Sequence, residues 1–142
     1  MKKLLLLCIA TLLLAACGAR RSDPGRVGQM YFSAIMFNLN GSQITPASYK
    51  LIDEAAKVYK KNPDVTVEVR GYTDSLGSDK VNLRLSQQRA DRVSQALQER
   101  GVPAGHIRAK GFGATKPVAS NNTPQGREQN RRVEIEFPYP GN

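Results

Sequence analysis

Two short segments alternate strictly between apolar and polar side chains. Val65, Val67 and Val69 interleave with Thr66, Glu68 and Arg70, and Val133, Ile135 and Phe137 interleave with Arg132, Glu134 and Glu136. A period of two sends the apolar set to one face of an extended chain, so each segment predicts a strand with one face buried. Something must cover that face, and the stretch between them supplies it. Asp79 to Arg100 reads as a long helix, with Gly101 as a left-handed cap and Pro103 beyond it. Tyr31 to Phe37 is apolar at both phases except Ser33, which predicts a strand buried on two faces, and Asn38 to Ser42 ends it. Thr45-Pro46 opens a second helix, the Thr45 hydroxyl expected to cap free N–H groups. Ile52, Ala55, Ala56 and Tyr59 then recur at helical spacing until Asn62-Pro63. His106 to Gly113 predicts a third strand or extended segment, Ala119 to Thr123 a polar loop, and Thr123-Pro124 a helix of about two turns. The order β-α-β-α-β-(α)-β predicts an α/β domain, a two-layer sandwich with helices packed on a small mixed sheet.

The N-terminus obeys a different logic. Met1-Lys2-Lys3 is a basic start, Leu4 to Leu14 is apolar apart from Thr11, and Leu14-Ala15-Ala16-Cys17 closes the run with small residues before a cysteine. A spanning helix needs roughly 20 apolar residues, so residues 1–16 are expected to be an export signal. The small-residue run ending in Cys17 resembles a bacterial lipobox, which implies cleavage before Cys17 and lipid on that residue; several acyl chains there would anchor firmly. Gly18, in place of an aspartate, resembles an outer-membrane sorting signal. Residues 17–29, poor in apolar side chains, are expected to be the lipidated cysteine and a flexible tether, residues 30–138 the folded domain, and residues 139–142 a short tail.

Without Lys2 and Lys3 the 21 basic residues fall to 19 against 12 acidic ones, so the formal charge of +9 becomes +7. The two cysteines, Cys8 and Cys17, lie in and at the end of the signal, so the body of the chain has no thiol. A disulfide scaffold, a cysteine metal site and a thiol nucleophile are thereby excluded.

The long helix breaks its own pattern. Plotted at about 100° per residue, one half of the wheel holds only polar residues, Ser94, Gln87, Gln98, Asp91, Arg84, Gln95, Gln88, Glu99 and Arg92. The other half holds Leu85, Ala96, Val93, Leu97, Ala90 and Leu83, but Asn82, Ser86 and Arg89 fall in its middle. An arginine on a buried stripe needs partners for up to five donors, and an unpaired buried charge is costly. An acidic group is expected to meet it, either as a structural ion pair or as part of a carboxylate-binding site. Arg131 shares the inward phase of Val133, Ile135 and Phe137 and raises the same question. Asp74, in a Gly-bounded loop before the helix, is the natural complement to Arg89. It is a loop or capping residue in one reading. In the other it is half of a zwitterion clamp, a carboxylate for an ammonium and a guanidinium forked onto a carboxylate.

Gly71-Tyr72-Thr73-Asp74, Gly77, Asn82, Leu85-Ser86, Arg89-Ala90, Gly111-Phe112-Gly113, Pro117, Asn121, Gly126-Arg127 and Asn130-Arg131-Arg132-Val133 together resemble the OmpA-like peptidoglycan-binding domain, the module of the OmpA C-terminal region and of the peptidoglycan-associated lipoprotein. The resemblance runs from about Tyr31 to Phe137, nearly the whole chain after the expected signal. It implies non-catalytic binding of the peptidoglycan stem peptide through diaminopimelate, with no cofactor and no metal. By resemblance Asp74 takes the ligand ammonium and Arg89 its carboxylate. Asn82, Arg131 and the turn Phe37, Asn38 and Leu39 complete the ligand contacts, the turn through its main chain. Many members have His where Tyr72 stands and Asp where Asn38 stands. The expected setting is the outer membrane, lipid-anchored through Cys17 with the domain facing the periplasm. The expected partners are peptidoglycan, that membrane and envelope proteins.

Two rival classes remain to be set beside this. A cell-wall hydrolase would need a nucleophile with a base, a carboxylate pair or a metal cluster, whereas His106 is the only histidine and Asp74 has no acidic neighbour close in sequence. A basic module contacting anionic lipid or a protein partner is suggested by the charge. Scattered Lys60-Lys61, Arg108 and Lys110, without interleaved aromatics, argue against nucleic acid.

Overall fold

A computed structural model describes residues 30–37 and 41–138. The expected signal (1–16), Cys17 and the tether (17–29), Asn38 and Leu39 of the turn, and the tail (139–142) lie outside the described residues. The elements are β1 (Met30–Met36), α1 (Pro46–Lys61), β2 (Val67–Gly71), α2 (Asp79–Gln98), a 3₁₀ turn (Ala104–His106), β3 (Ile107–Gly111), α3 (Pro124–Asn130) and β4 (Arg132–Phe137). The strands form one mixed sheet in the order β1-β4-β2-β3, with β2 and β3 parallel and β4 antiparallel to both β1 and β2. The α/β fold expected from the alternations is the fold observed.

The core lies where the two alternations point. Val67, Val69, Val133, Ile135 and Phe137 of the sheet meet Ile52, Ala55, Ala56 and Tyr59 of α1 and Ala90, Val93, Ala96 and Leu97 of α2, all buried. Hydrophobic burial of this kind contributes about 25 cal/mol per Å² of apolar surface. The cap at Gly101 has the expected positive φ, +91°.

Several local expectations are corrected. The face of β4 that carries Arg132 and Glu136 is not solvated: they are 5% and 4% exposed. β4 is a central strand, and its charges are paired rather than wet, Glu136 with Arg70 at 2.6 Å and Arg132 with Glu134 at 2.8 Å, the Arg132 guanidinium also lying 4.0 Å from the Tyr72 ring centroid. The Thr45 hydroxyl caps no helix N–H; it meets the Ser48 hydroxyl at 3.0 Å, and Ser48 accepts from Met36 N at 2.9 Å, which fastens the start of α1 to the end of β1. Leu83, assigned to the apolar half of the long helix, is 55% exposed.

Two glycines bring α2 down onto the sheet. A Cβ at Gly71 would stand 2.1 Å from Ser86 O, and one at Gly111 2.4 Å from Gln87 N and 2.5 Å from Ser86 Oγ. Only hydrogen fits at either place. The C-terminal ends of the parallel pair β2 and β3 therefore touch α2 at Ser86 and Gln87, midway along the two turns that carry Asn82 and Arg89.

Candidate functional site

The loops that leave β2 and β3 at this end are cross-linked before any ligand is considered. Thr73 N donates to Gly113 O at 2.9 Å, Gly113 N donates to the Ser86 hydroxyl at 2.8 Å, and that hydroxyl donates to Leu83 O at 2.8 Å. Ser86, which looked misplaced among apolar residues, thus joins the helix to the loop after β3. The Asp74 loop is fixed from its other side by α3. Asn130, fully buried, accepts from Val118 N at 2.8 Å and Ala119 N at 3.0 Å. It donates to Ala119 O at 2.8 Å and to Asn121 Oδ1 at 2.9 Å, and Asn121 Oδ1 also accepts from Ser75 N at 3.2 Å.

Arg89 is 0% exposed, and the acid expected to meet it does not. Its Nε donates to Gly41 O at 3.0 Å and its Nη1 to Tyr72 O at 3.4 Å, while Nη2 has no hydrogen-bond partner among the described residues. The guanidinium carbon lies 5.2 Å from the centroid of the buried Phe37 ring. Burial pushes the Arg89 pKa down to about 10; the nearby Arg131 charge adds to the fall and Asp74 opposes it. Neutral carbonyls and a ring face hold the charge without neutralising it.

Asp74 is buried and belongs to another arginine. Its Oδ2 accepts from Arg131 Nη1 at 2.9 Å and its Oδ1 from Leu76 N at 3.0 Å. Arg131 is not an inward residue of β4, because the strand begins one residue later. It stands at the C-terminal end of α3, with φ −80° and ψ 76°, and its N–H still bonds back to Arg127 O and Glu128 O. That bent backbone, rather than strand alternation, brings Arg131 to Asp74. Asn82 is buried on the same helix face two turns before Arg89. Asp74, Arg89, Arg131, Asn82 and Phe37, the set that the family resemblance implies, thus stand at one end of the sheet, with Asp74 paired to Arg131 rather than to Arg89.

Residues 36–131 match the OmpA family. The chain belongs to that family. Among relatives of this family it is 46% identical over 101 residues to the probable lipoprotein YiaD of Escherichia coli, spanning 71% of this chain and 46% of that protein. It is 46% identical over 101 residues to the peptidoglycan-binding protein ArfA of Mycobacterium tuberculosis, spanning 71% of this chain and 31% of that protein. The match therefore takes in less than half the length of either relative. The fold is similar to the crystal structure of the peptidoglycan-associated lipoprotein from Burkholderia pseudomallei, with a TM-score of 0.71, 28% identity, and coverage of 82% of this chain and 98% of that one.

The family context clarifies one departure. Tyr72, where many OmpA-like domains carry His, turns its ring away from Arg89: it stacks on Phe112 with centroids 5.5 Å apart and lies under Arg132, and only its carbonyl reaches Arg89. Two contributors escaped the sequence reading. The Gly41 carbonyl carries no side-chain signal at all, and the Thr73 hydroxyl, buried and without a hydrogen-bond partner among the described residues, is visible in sequence only as a neighbour of Asp74.

Proposed function

We infer that this protein binds peptidoglycan non-covalently through the diaminopimelate of the stem peptide and, lipidated at Cys17, tethers the outer membrane to the cell wall. The observation that carries the reading is Arg89: a fully buried guanidinium whose Nη2 is unpartnered among the described residues. Leaving such a donor unsatisfied costs free energy that a ligand carboxylate returns on binding. The names of the relatives, a peptidoglycan-binding protein and a peptidoglycan-associated lipoprotein, support the same ligand class.

In this mechanism Arg89 takes the carboxylate of the ligand's free amino-acid centre and Asp74 takes its ammonium, sharing its oxygens with Arg131 and Leu76 N. Asn82 and Arg131 flank the ligand, Phe37 lies against the Arg89 guanidinium, and Phe37, Asn38 and Leu39 contribute main-chain groups. No bond is made or broken; desolvation of the pair is what lifts the affinity above the 0 to about 1 kcal/mol of an exposed ion pair. The lipid on Cys17 supplies the membrane half of the tether.

The test is binding of a diaminopimelate-containing muropeptide by the full-length protein in detergent, compared with Asp74→Ala and Arg89→Ala. Both substitutions are expected to abolish measurable binding, and equal binding by all three proteins overturns the site. Cys17→Ser is expected to lose palmitate labelling and membrane association; a variant that stays membrane-bound overturns the anchor.

A further inference from the structure

The charge balance of the site bears on which form of the stem it accepts. Two guanidiniums, Arg89 and Arg131, stand with one carboxylate, Asp74, so these three groups sum to one positive charge. The two guanidiniums are close enough for Arg131 to depress the ionisation of Arg89. Asp74 is half engaged: Oδ2 accepts from Arg131 and Oδ1 from Leu76 N, which leaves about two of its four acceptor positions for an ammonium. The other spare groups are of a different kind. Arg89 Nη2 can only donate, and the Thr73 hydroxyl donates or accepts.

We propose that the site reads the ionisation state of the diaminopimelate carboxyl, taking the free carboxylate and rejecting the same stem when that carboxyl is a carboxamide. This rests on the reading of the site given above and narrows it. The free amino-acid centre of diaminopimelate is a zwitterion, so its binding leaves the site at one net positive charge. Amidation removes the negative half and leaves the ammonium, raising the buried total to two. A carboxamide can still offer its oxygen to Arg89, but its NH₂ is a donor facing a donor-only group, and the charge-assisted bond becomes a neutral-acceptor bond of roughly half the strength. The Thr73 hydroxyl can serve either ligand and so does not restore the difference. Because Arg89 is wholly buried, water has no room to screen the mismatch in the way it does at an exposed pair.

The experiment is calorimetric titration of the full-length protein in detergent with two muropeptides, identical except that the diaminopimelate carboxyl is free in one and amidated in the other. The free form is expected to bind, and the amidated form to bind on the order of ten- to a hundredfold more weakly. Equal affinity for the two overturns this inference while leaving the diaminopimelate site in place. Failure of both to bind overturns the site itself. Tighter binding of the amidated form overturns the charge argument outright. In the same titrations Arg89→Lys, which keeps the charge but loses the planar fork, is expected to bind the free form more weakly and still prefer it over the amide. A preference lost with the charge retained would assign the selectivity to shape instead.

Discussion

Asp74 is ion-paired to Arg131 at 2.9 Å, and Arg89, which lies deeper, is left with neutral carbonyl acceptors. The protein thus keeps a buried cation in the ligand-free state. Such a charge costs several kcal/mol to desolvate, while its bond to Gly41 O at 3.0 Å returns about 1.5–3 kcal/mol and the longer one to Tyr72 O at 3.4 Å less. The balance falls against the native side chain. Arg89→Met, similar in length and apolar, is expected to raise the stability of the ligand-free protein by about 1 kcal/mol, or about 4 °C in Tm, while removing muropeptide binding. Thermal unfolding of the two proteins checks it, and a lower Tm in the variant refutes the claim that Arg89 is retained against stability.

The pH dependence follows from the same residue. The Arg89 pKa is about 10 in the fold, well below the ordinary arginine range, so above about pH 10 the unfolded chain binds more protons, and stability rises with pH there. The burial penalty is fully present below pH 10 and is relieved as pH climbs above it. Lysines and tyrosines titrate in the same range, so the informative quantity is the difference between native protein and Arg89→Met. The native protein is expected to gain on the variant by up to about 3 kcal/mol between pH 9 and pH 12. Chemical denaturation at a series of pH values measures this, and a constant difference would show that Arg89 is not strained by burial.

Much of this site was legible before the fold was known, for physical reasons that differ from residue to residue. Arg89 stood out because a helix has a fixed angular period, and a charge amid Ala90, Val93, Ala96 and Leu97 must be buried with them. Leu83 misled by the same rule. The wheel gives an angle but not where the sheet stops, and β3 ends at Gly111, so the Leu83 side of α2 overhangs the strand end and is wet while Asn82 beside it is buried. The Asp74–Arg131 pair was not legible at all. Its partners are 57 residues apart, and Arg131 sits one residue before the strand whose phase it seemed to share. The buried charges Arg132 and Glu136 were hidden likewise, because alternation does not tell a central strand from an edge.

The glycines test whether the close approach of α2 positions the site. Gly111→Ala places a Cβ against the Gln87 backbone and the Ser86 hydroxyl at 2.4 and 2.5 Å, contacts that cannot relax by side-chain rotation alone. A loss of about 1–3 kcal/mol is expected from overpacking, together with weaker muropeptide binding, since Ser86 also holds Gly113 N. Gly105→Ala, where an added Cβ meets nothing within 4 Å, serves as the control and is expected to leave both unchanged. Equal behaviour of the two variants in denaturation and binding would dissociate the site from the helix–sheet contact.

Removing the two partners of the ion pair is expected to have unequal effects. Asp74→Ala leaves two guanidiniums without their carboxylate, one of them wholly buried, and it removes the one influence that raises the Arg89 pKa while keeping the Arg131 charge that lowers it. Arg131→Ala does the reverse: it leaves one carboxylate and one guanidinium, with Leu76 N still bonded to Asp74 Oδ1. The first is expected to cost about 3 kcal/mol and the second about 1 kcal/mol, because breaking a buried pair costs most where an unpaired charge remains. The double variant is expected to be more stable than Asp74→Ala alone, since it deletes the repulsion that the single change creates. Urea denaturation of the four proteins closes the cycle. A double variant less stable than Asp74→Ala would mean that Arg131 supports the α3 junction by packing and that its charge is incidental to Arg89.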